Sequence, residues 1–187
     1  TPNVWKGAYY VRSTLVFDDM SDLYTMTMPD GSQRVFDDEG YLTIIRSAGG
    51  VELTVAGGAT VSNVTGTDFR YGFDWADGRI STVTHYVTRD AVESAVRRTA
   101  FTYWSGSPAK LQSVTNEDPP LPGETEWQRC EETFFTYHSN DLLKHVLRDD
   151  SLKRMASAGI TNPATATEPE LDAYADEKFT WDGTKVQ

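Results

Sequence analysis

The feature that most constrains the fold of this chain is a short sequence pattern that recurs along its length. Each copy has a pair of apolar, usually aromatic, residues, a polar turn of varying length, and an aliphatic residue followed by another three positions later. Self-similarity of this kind is the signature of a repeat architecture. The residues that anchor the copies are Phe36, Leu42, Phe73, Ile80, Phe101, Tyr103, Leu111, Phe135, Tyr137, Leu143, Phe179 and Trp181.

The copies, hereafter the first to fifth repeats, lie near residues 33–46, 69–88, 99–115, 133–147 and 178–187, and the fifth is truncated. From the second copy onward the aromatic residues stand on alternate positions, which puts both rings on one face of a strand. The turns are rich in Asp, Gly, Asn and Ser, and the returning arms are rich in β-branched residues. Each repeat therefore predicts strand, tight turn and strand, and the chain predicts a mainly β antiparallel meander.

The turns are the variable part of the pattern. We expect the second repeat to turn at residues 74–78, the third at 104–108 and the fourth at 138–141, where no glycine is present. The acidic, proline-rich stretch 116–124 predicts an extended surface loop, because proline cannot donate to a sheet ladder.

The stretch 148–177, between the fourth and fifth repeats, has a different character and predicts a helical insertion. Good helix formers run up to Gly159, which favours a short helix near 150–158 that stops at that glycine. Thr167 followed by acidic residues favours another helix near 168–175. Apolar residues are few in both segments, so we expect the helices to lie against the sheet.

Two segments resemble a known family. Residues 73–83 read Phe-Asp-Trp-Ala-Asp-Gly-Arg-Ile-Ser-Thr-Val, which is similar to the aromatic-Asp-x-x-Gly-Arg-Leu-x-x-Val consensus of the RHS, or YD-repeat, proteins with one inserted residue. Residues 28–42 resemble the way arrays of this family commonly open. The third and fourth repeats depart from the pattern, since Tyr103 and Tyr137 are followed by Trp104 and His138 instead of Asp. The resemblance spans about residues 20 to 187.

The resemblance implies a fold and a role. In RHS proteins the strands wind into a large spiral sheet that closes as a hollow shell, often around a toxic C-terminal domain, or serves as a surface or adhesion scaffold. On that basis residues 1–187 are expected to be one segment, a fragment of such an array, secreted or at the cell surface. Its partners would be further repeats of the same or another chain, with a cargo domain or a cell-surface partner. The self-cleaving aspartates of the family have no counterpart here, so the resemblance implies no catalysis.

The alternative is a cell-surface module that binds carbohydrate or protein. Aromatic residues exposed on a flat sheet stack on sugar rings, although packing within the sheet is the commoner fate of such residues. The ladder that would do so comprises Tyr71, Phe73, Phe101, Tyr103, Phe135, Tyr137, Phe179 and Trp181.

Composition narrows the classes of function further. The 187 residues carry 28 acidic and 17 basic side chains, a formal net charge of -11, and the sequence pI is about 4.6. Such a chain repels polyanions, so we expect no nucleic-acid partner. No stretch approaches the roughly 18 apolar residues of a membrane span. No export signal is recognisable in this sequence, so we expect any such signal to lie outside it.

Few residues are candidates for catalysis, metal binding or modification. Cys130 is the single cysteine, and its strand-like surroundings favour a structural role over that of a nucleophile with His138 or His145 as base. These two histidines and His85 include no i,i+4 pair, and the acidic clusters at 18–19, 37–39 and 149–150 lack the spacing of a calcium loop. Asn63 begins a glycosylation triplet, which has meaning only in a eukaryotic secretory setting. We therefore predict no enzyme activity, metal or cofactor.

Overall fold

A computed structural model describes residues 3–6, 13–106, 109–182 and 185–186. Ser107 and Pro108 of the third turn and Gly183 of the fifth repeat lie outside these residues. The strands and helices, in chain order, are β1 (Asn3–Lys6), β2 (Thr14–Asp18), β3 (Leu23–Thr27), β4 (Gln33–Phe36), β5 (Leu42–Arg46), β6 (Glu52–Ala56), β7 (Asn63–Thr65), β8 (Phe69–Ala76), β9 (Arg79–Arg89), β10 (Val92–Tyr103), β11 (Leu111–Asp118), β12 (Gln128–Tyr137), β13 (Leu143–Leu147), α1 (Asp149–Ser157), α2 (Glu168–Tyr174), β14 (Glu177–Lys178), β15 (Trp181–Asp182) and β16 (Lys185–Val186).

The strands follow one another in the sheet in the order of the chain. β1 to β14 form one sheet in which each strand is hydrogen-bonded to the next, and β15 pairs separately with β16. The pairing is antiparallel, for example at β2 with β3 and at β11 with β12. Antiparallel neighbours need only a short turn between them, so a chain of hairpins gives this order directly. The predicted mainly β antiparallel meander is confirmed.

The chain forms two compact units. The first comprises Thr1–Asp74 with Thr84–Ala95, and the second comprises Trp75–Val83 with Val96–Gln187. In the first unit, Val35, Val55 and Thr84 are buried. Its strands are also joined by aromatic contact, since the rings of the cross-strand neighbours Phe17 and Tyr24 have centroids 4.7 Å apart.

The second unit has a core in which the two helices pack on the sheet. The sheet contributes Phe134 and Leu147, α1 contributes Leu152 and Met155, and α2 contributes Leu171. Leu147 and Met155 are 0% and 1% exposed. Both helices were predicted within a residue or so of their bounds, and the few apolar residues that they carry are the ones that contact the sheet.

Local chemistry explains the end of α1 and the start of α2. Gly159, with a φ of +88°, follows α1, and the N–H groups of Gly159 and Ile160 donate to the carbonyls of Ala156 and Met155. This is a Schellman motif, which satisfies carbonyls that a helix end leaves free. At the start of α2 the Glu170 carboxylate accepts from both the backbone N–H and the hydroxyl of Thr167.

The start of α1 depends on a distant residue. α1 begins at Asp149, and the backbone N–H of Arg148 before it donates to the Asp176 carboxylate at 2.5 Å. Because Asp176 lies 28 residues later in the chain, the sequence near 150 gave no sign of it.

The second turn differs from its prediction. β8 continues to Ala76 and β9 begins at Arg79, so the turn consists of Asp77 and Gly78 alone. Both have positive φ, 51° and 73°, as a type I′ turn requires, and this turn matches the twist of the flanking strands better than a longer loop would. The prediction that residues 74–76 belong to the turn was wrong, because Asp77 and Gly78 close the hairpin by themselves and leave residues 74–76 in the strand.

We expect Met155→Ala to lower the free energy of unfolding by roughly 2–5 kcal/mol, because the change leaves a cavity between α1 and the sheet. Denaturant unfolding followed by circular dichroism measures the difference. Met20→Ala is the matched control, since Met20 is 94% exposed and truncating it removes no buried contact. Equal midpoints for the two variants would contradict the packing described.

Candidate functional site

Three of the repeats pair their strands in the same way. In each, the last residue of the first strand faces the aliphatic anchor, and a shift of register stands immediately before that pair. The shift is a β-bulge, which is needed because the paired apolar positions are two residues apart on one strand and three apart on the other. The equivalent pairs are Phe36 with Leu42, Tyr103 with Leu111, and Tyr137 with Leu143.

The pair on the other side of each bulge is also equivalent. Phe101 faces Val114 in the third repeat, and Phe135 faces Val146 in the fourth. In the first repeat Arg34 takes the place of the aromatic residue and faces Ile45.

A hydrogen bond links each of the later repeats to the repeat before it. The polar atom of the second aromatic side chain donates to the carbonyl oxygen of the preceding repeat's aliphatic anchor. Burial raises the pKa of the Tyr137 hydroxyl, which keeps it a donor. The bonds join Tyr103 Oη to Ile80 O at 2.8 Å, Tyr137 Oη to Leu111 O at 3.0 Å, and Trp181 Nε1 to Leu143 O at 2.7 Å.

The backbone ladder explains why these carbonyls take side-chain donors. The pairing of β11 with β12 ends at Ser113 and Phe134, two residues short of Leu111. The pairing of β13 with β14 ends at His145 and Lys178, again two residues short of the anchor. A partly buried carbonyl beyond the end of a ladder needs a donor. Tyr137 lies three residues after Phe134, and Trp181 lies three residues after Lys178. Each of these aromatic side chains supplies the donor.

The residue that follows Tyr103 or Tyr137 makes a second hydrogen bond between repeats. Trp104 Nε1 donates to the carbonyl of Phe135 at 3.0 Å, and His138 Nε2 bonds the carbonyl of Phe179 at 3.0 Å. These donors stand where the second repeat has Asp74, and each bonds the first aromatic residue of the next repeat. Because a carbonyl only accepts, His138 must carry its proton on Nε2.

Cations lie over two of the linking rings. Arg79 and Lys110 each precede an aliphatic anchor, and each places its charge 5.4 Å from the ring centroid of Tyr103 or Tyr137 respectively. Lys110 also forms an ion pair with Asp141. A cation over an aromatic face is attracted by the quadrupole of the ring.

The remaining predicted residues lie in less regular positions. Phe73 is a half-buried residue of β8, and Phe179 is a half-buried residue between β14 and β15. Tyr71 is 37% exposed and stacks on His85, with centroids 4.7 Å apart and planes 19° apart. Apart from Tyr71, the rings of the ladder are half-buried.

A buried polar cluster that was not predicted surrounds His145, which is 1% exposed. Its Nδ1 lies 2.7 Å from Thr136 Oγ1, and its Nε2 lies 2.7 Å from Asp172 Oδ1. Asp172 also pairs with Lys178 at 2.5 Å. The hydrogen bond from Lys178, and to a smaller extent that from His145, hold the pKa of Asp172 below its usual value. No local pattern pointed to the cluster, because Asp172 comes 27 residues after His145 and from a helix.

Cys130 lacks the lowered pKa that an activated cysteine nucleophile needs. It is exposed, and it is the extra residue of a bulge in β12, between Arg129 and Glu131. Hydrogen bonding to Asp118 raises its pKa, whereas a catalytic cysteine needs a lowered one. Among the residues that the structure describes, no three His, Cys, Asp or Glu side chains converge on a possible metal position.

A pocket of about 480 Å³ opens in the second compact unit. Its walls are formed by the tips of the third and fourth hairpins and by the helical insertion. Trp104, Lys110, Tyr137 and His138, which take part in the contacts between repeats, all line it.

A scan against protein-family models finds no matching family, and a search of curated proteins finds no match. None of the helices in the described ranges combines the length and the apolar character that crossing a bilayer requires.

We expect Tyr137→Phe to lower the free energy of unfolding by about 0.5–1.5 kcal/mol, because the Leu111 carbonyl loses its donor while the ring remains. Denaturant unfolding measures the change. Tyr71→Phe is the matched control, since the Tyr71 hydroxyl makes none of the bonds between repeats. A Tyr137→Phe protein as stable as Tyr71→Phe would show that the link contributes nothing.

Asp172→Asn tests the tether between α2 and the sheet. Because the folded-state pKa of Asp172 is lowered, its stabilisation is present above the ordinary aspartate pKa of about 3.9 and is lost as pH falls through the lower folded value. We expect the variant to unfold at lower denaturant than the native protein at pH 6 and the gap to narrow at pH 3. Asp38→Asn, in the exposed β4–β5 turn, serves as control and should change little at either pH. A gap that is constant with pH would contradict the charge-based explanation.

Proposed function

We propose that this chain is a non-catalytic structural segment of an RHS-type array, in which hairpin repeats add to one another to build a larger β-sheet scaffold. The observation that carries the proposal is the hydrogen bond from the aromatic residue of one repeat to the anchor carbonyl of the repeat before it. The same bond recurs at three successive contacts, although the turns between the strands differ in length and sequence.

A contact that recurs in this way extends without a new core. The stability of a repeat array is a sum of terms for each repeat and for each contact between neighbours, so each added repeat contributes its own share. The Tyr or Trp that donates and the carbonyl that accepts belong to different repeats, which makes the bond a means of joining units. Such an array suits encapsulation or display of another domain, with further repeats of the same or another chain as partners and a secreted or cell-surface location.

The absence of a catalytic role is part of the proposal. The rings and the donors Trp104 and His138 are occupied by bonds that hold strands together, and the raised pKa of Cys130 disfavours the thiolate. The alternative, a binding module at a cell surface, is favoured by one observation, the pocket at the hairpin tips.

If the chain works by adding strands, we expect it to self-associate in solution as its concentration rises, because outer strands present unpaired backbone groups. Sedimentation velocity from micromolar to millimolar protein measures this, at moderate salt so that the net charge is screened. β1 is the outermost strand at one side of the sheet order, and its Val4 is 53% exposed. Val4→Lys should therefore weaken association, since a lysine on an edge strand opposes pairing.

Val51→Lys is the matched control for this experiment. Val51 is 66% exposed but lies in the turn between β5 and β6, away from the outer strand. A protein that remains monomeric over the whole range would contradict the proposal. Association that is equal in both variants would exclude β1 as the strand involved.

A further inference from the structure

The pocket at the hairpin tips is built from two walls of different chemistry. On the side of the sheet lie the rings of Trp104 and Tyr137, and on the side of the insertion lie Pro163, Ala164 and Leu171. Its volume of about 480 Å³ falls within the range of about 300–1,000 Å³ that is usual for small-molecule sites.

The aromatic wall is held in place before any ligand arrives. Trp104 is fixed by the bond from its Nε1 to Phe135 O at 3.0 Å and by an edge-to-face contact with Phe134 at 5.7 Å. Tyr137 is fixed by the bond from its hydroxyl to Leu111 O. A wall whose side chains are already immobilised costs little conformational entropy on binding.

The charges that line the pocket compensate each other. Lys110 is paired with Asp141, and the two side chains are 26% and 59% exposed. An ionic ligand would have to compete with this pair, and an anion would also meet the acidic surplus of the whole chain. The pocket is therefore better suited to an uncharged ligand.

The polar groups of the pocket, including the paired Lys110 and Asp141, have further hydrogen-bonding capacity, because an ammonium has three N–H donors and a carboxylate has about four lone-pair sites. Lys110 donates, the Ser105 hydroxyl does both, and the Asp141 carboxylate accepts. His138 lines the same pocket, and its Nε2 is engaged with Phe179 O. Closely spaced donors and acceptors match a ligand with several neighbouring hydroxyl groups.

We propose that this pocket binds a neutral saccharide, with the C–H face of a pyranose ring against Trp104 and its hydroxyl groups on Asp141, Lys110 and Ser105. The C–H bonds of a pyranose carry slight positive charge and are attracted to the electron-rich face of an aromatic ring. This function goes beyond a scaffold and does not depend on it, because an array can form whether or not its hairpin tips bind a ligand.

The test is a titration of isotope-labelled protein with D-glucose, D-galactose, D-mannose and N-acetylglucosamine, followed by the amide and indole signals in ¹H–¹⁵N spectra. We expect at least one sugar to give saturable shifts at Trp104 and His138, with affinity in the millimolar range that is ordinary for a single sugar. Glucuronate is the charged comparison and should bind more weakly than the best neutral sugar.

Two variants locate the binding. Asp141→Asn should weaken it roughly tenfold or more, and asparagine tolerates the positive φ of 72° at this position. Asp77→Asn is the matched control, since Asp77 also has positive φ in a hairpin turn but does not line the pocket. Ser105→Ala, in the exposed loop, replaces Asp141→Asn if that variant fails to fold, and it should also weaken binding.

The proposal is overturned if none of the four sugars gives saturable shifts. It is likewise overturned if the shifts survive substitution in the pocket at full affinity, or if glucuronate binds more tightly than every neutral sugar.

Discussion

The carbonyl groups beyond the ends of two ladders, β11 with β12 and β13 with β14, are the constraint on which the contacts between these repeats depend. Backbone pairing between neighbouring hairpins stops two residues before the aliphatic anchor, at Ser113 in one case and at His145 in the next. An aromatic side chain with a polar atom closes that gap, because it is long enough to reach the anchor carbonyl while its ring packs on the sheet. Phenylalanine at the position of Tyr137 would pack but could not donate. Tyrosine and tryptophan are therefore the residues that this position needs.

The bulge gives the repeat its odd spacing. Paired apolar residues stand two apart on one strand and three apart on the other, so a regular ladder would place one of them on the wrong face. The extra residue lies on the returning strand, directly after the aliphatic anchor, and absorbs the difference. It is Thr43, Gln112 or Lys144 in the three repeats. The spacing was visible in the sequence and predicted a repeat. The bulge that explains the spacing was not predicted.

Local chemistry made part of the molecule predictable. Alternating aromatic residues gave the strands, Gly159 gave the end of α1, and Thr167 with Glu170 gave the start of α2, since each signal involves residues a few positions apart. The cap that Asp176 provides for α1 and the bonds of His145 with Thr136 and Asp172 escaped prediction because only the folded chain brings those residues together. The second turn was missed for a different reason. Asp74, Trp75 and Ala76 are compatible with both turn and strand, and the twist of a two-residue hairpin decides between them.

The pocket shows why the turns are free to vary. The bulge and the link through Tyr103 or Tyr137 position the two strands of a hairpin whatever the length of the turn that joins them. In the first repeat the tip closes with Gly40 at positive φ, in the fourth with Asp141, and in the third with a longer loop. At the third tip, Trp104 and Ser105 stand beside the helical insertion, and a concave surface lies there that is also lined by Asp141 from the next tip. A framework that fixes its strands in this way tolerates turns of different length, and it can acquire a binding site at one repeat without disturbing the contacts that extend the sheet.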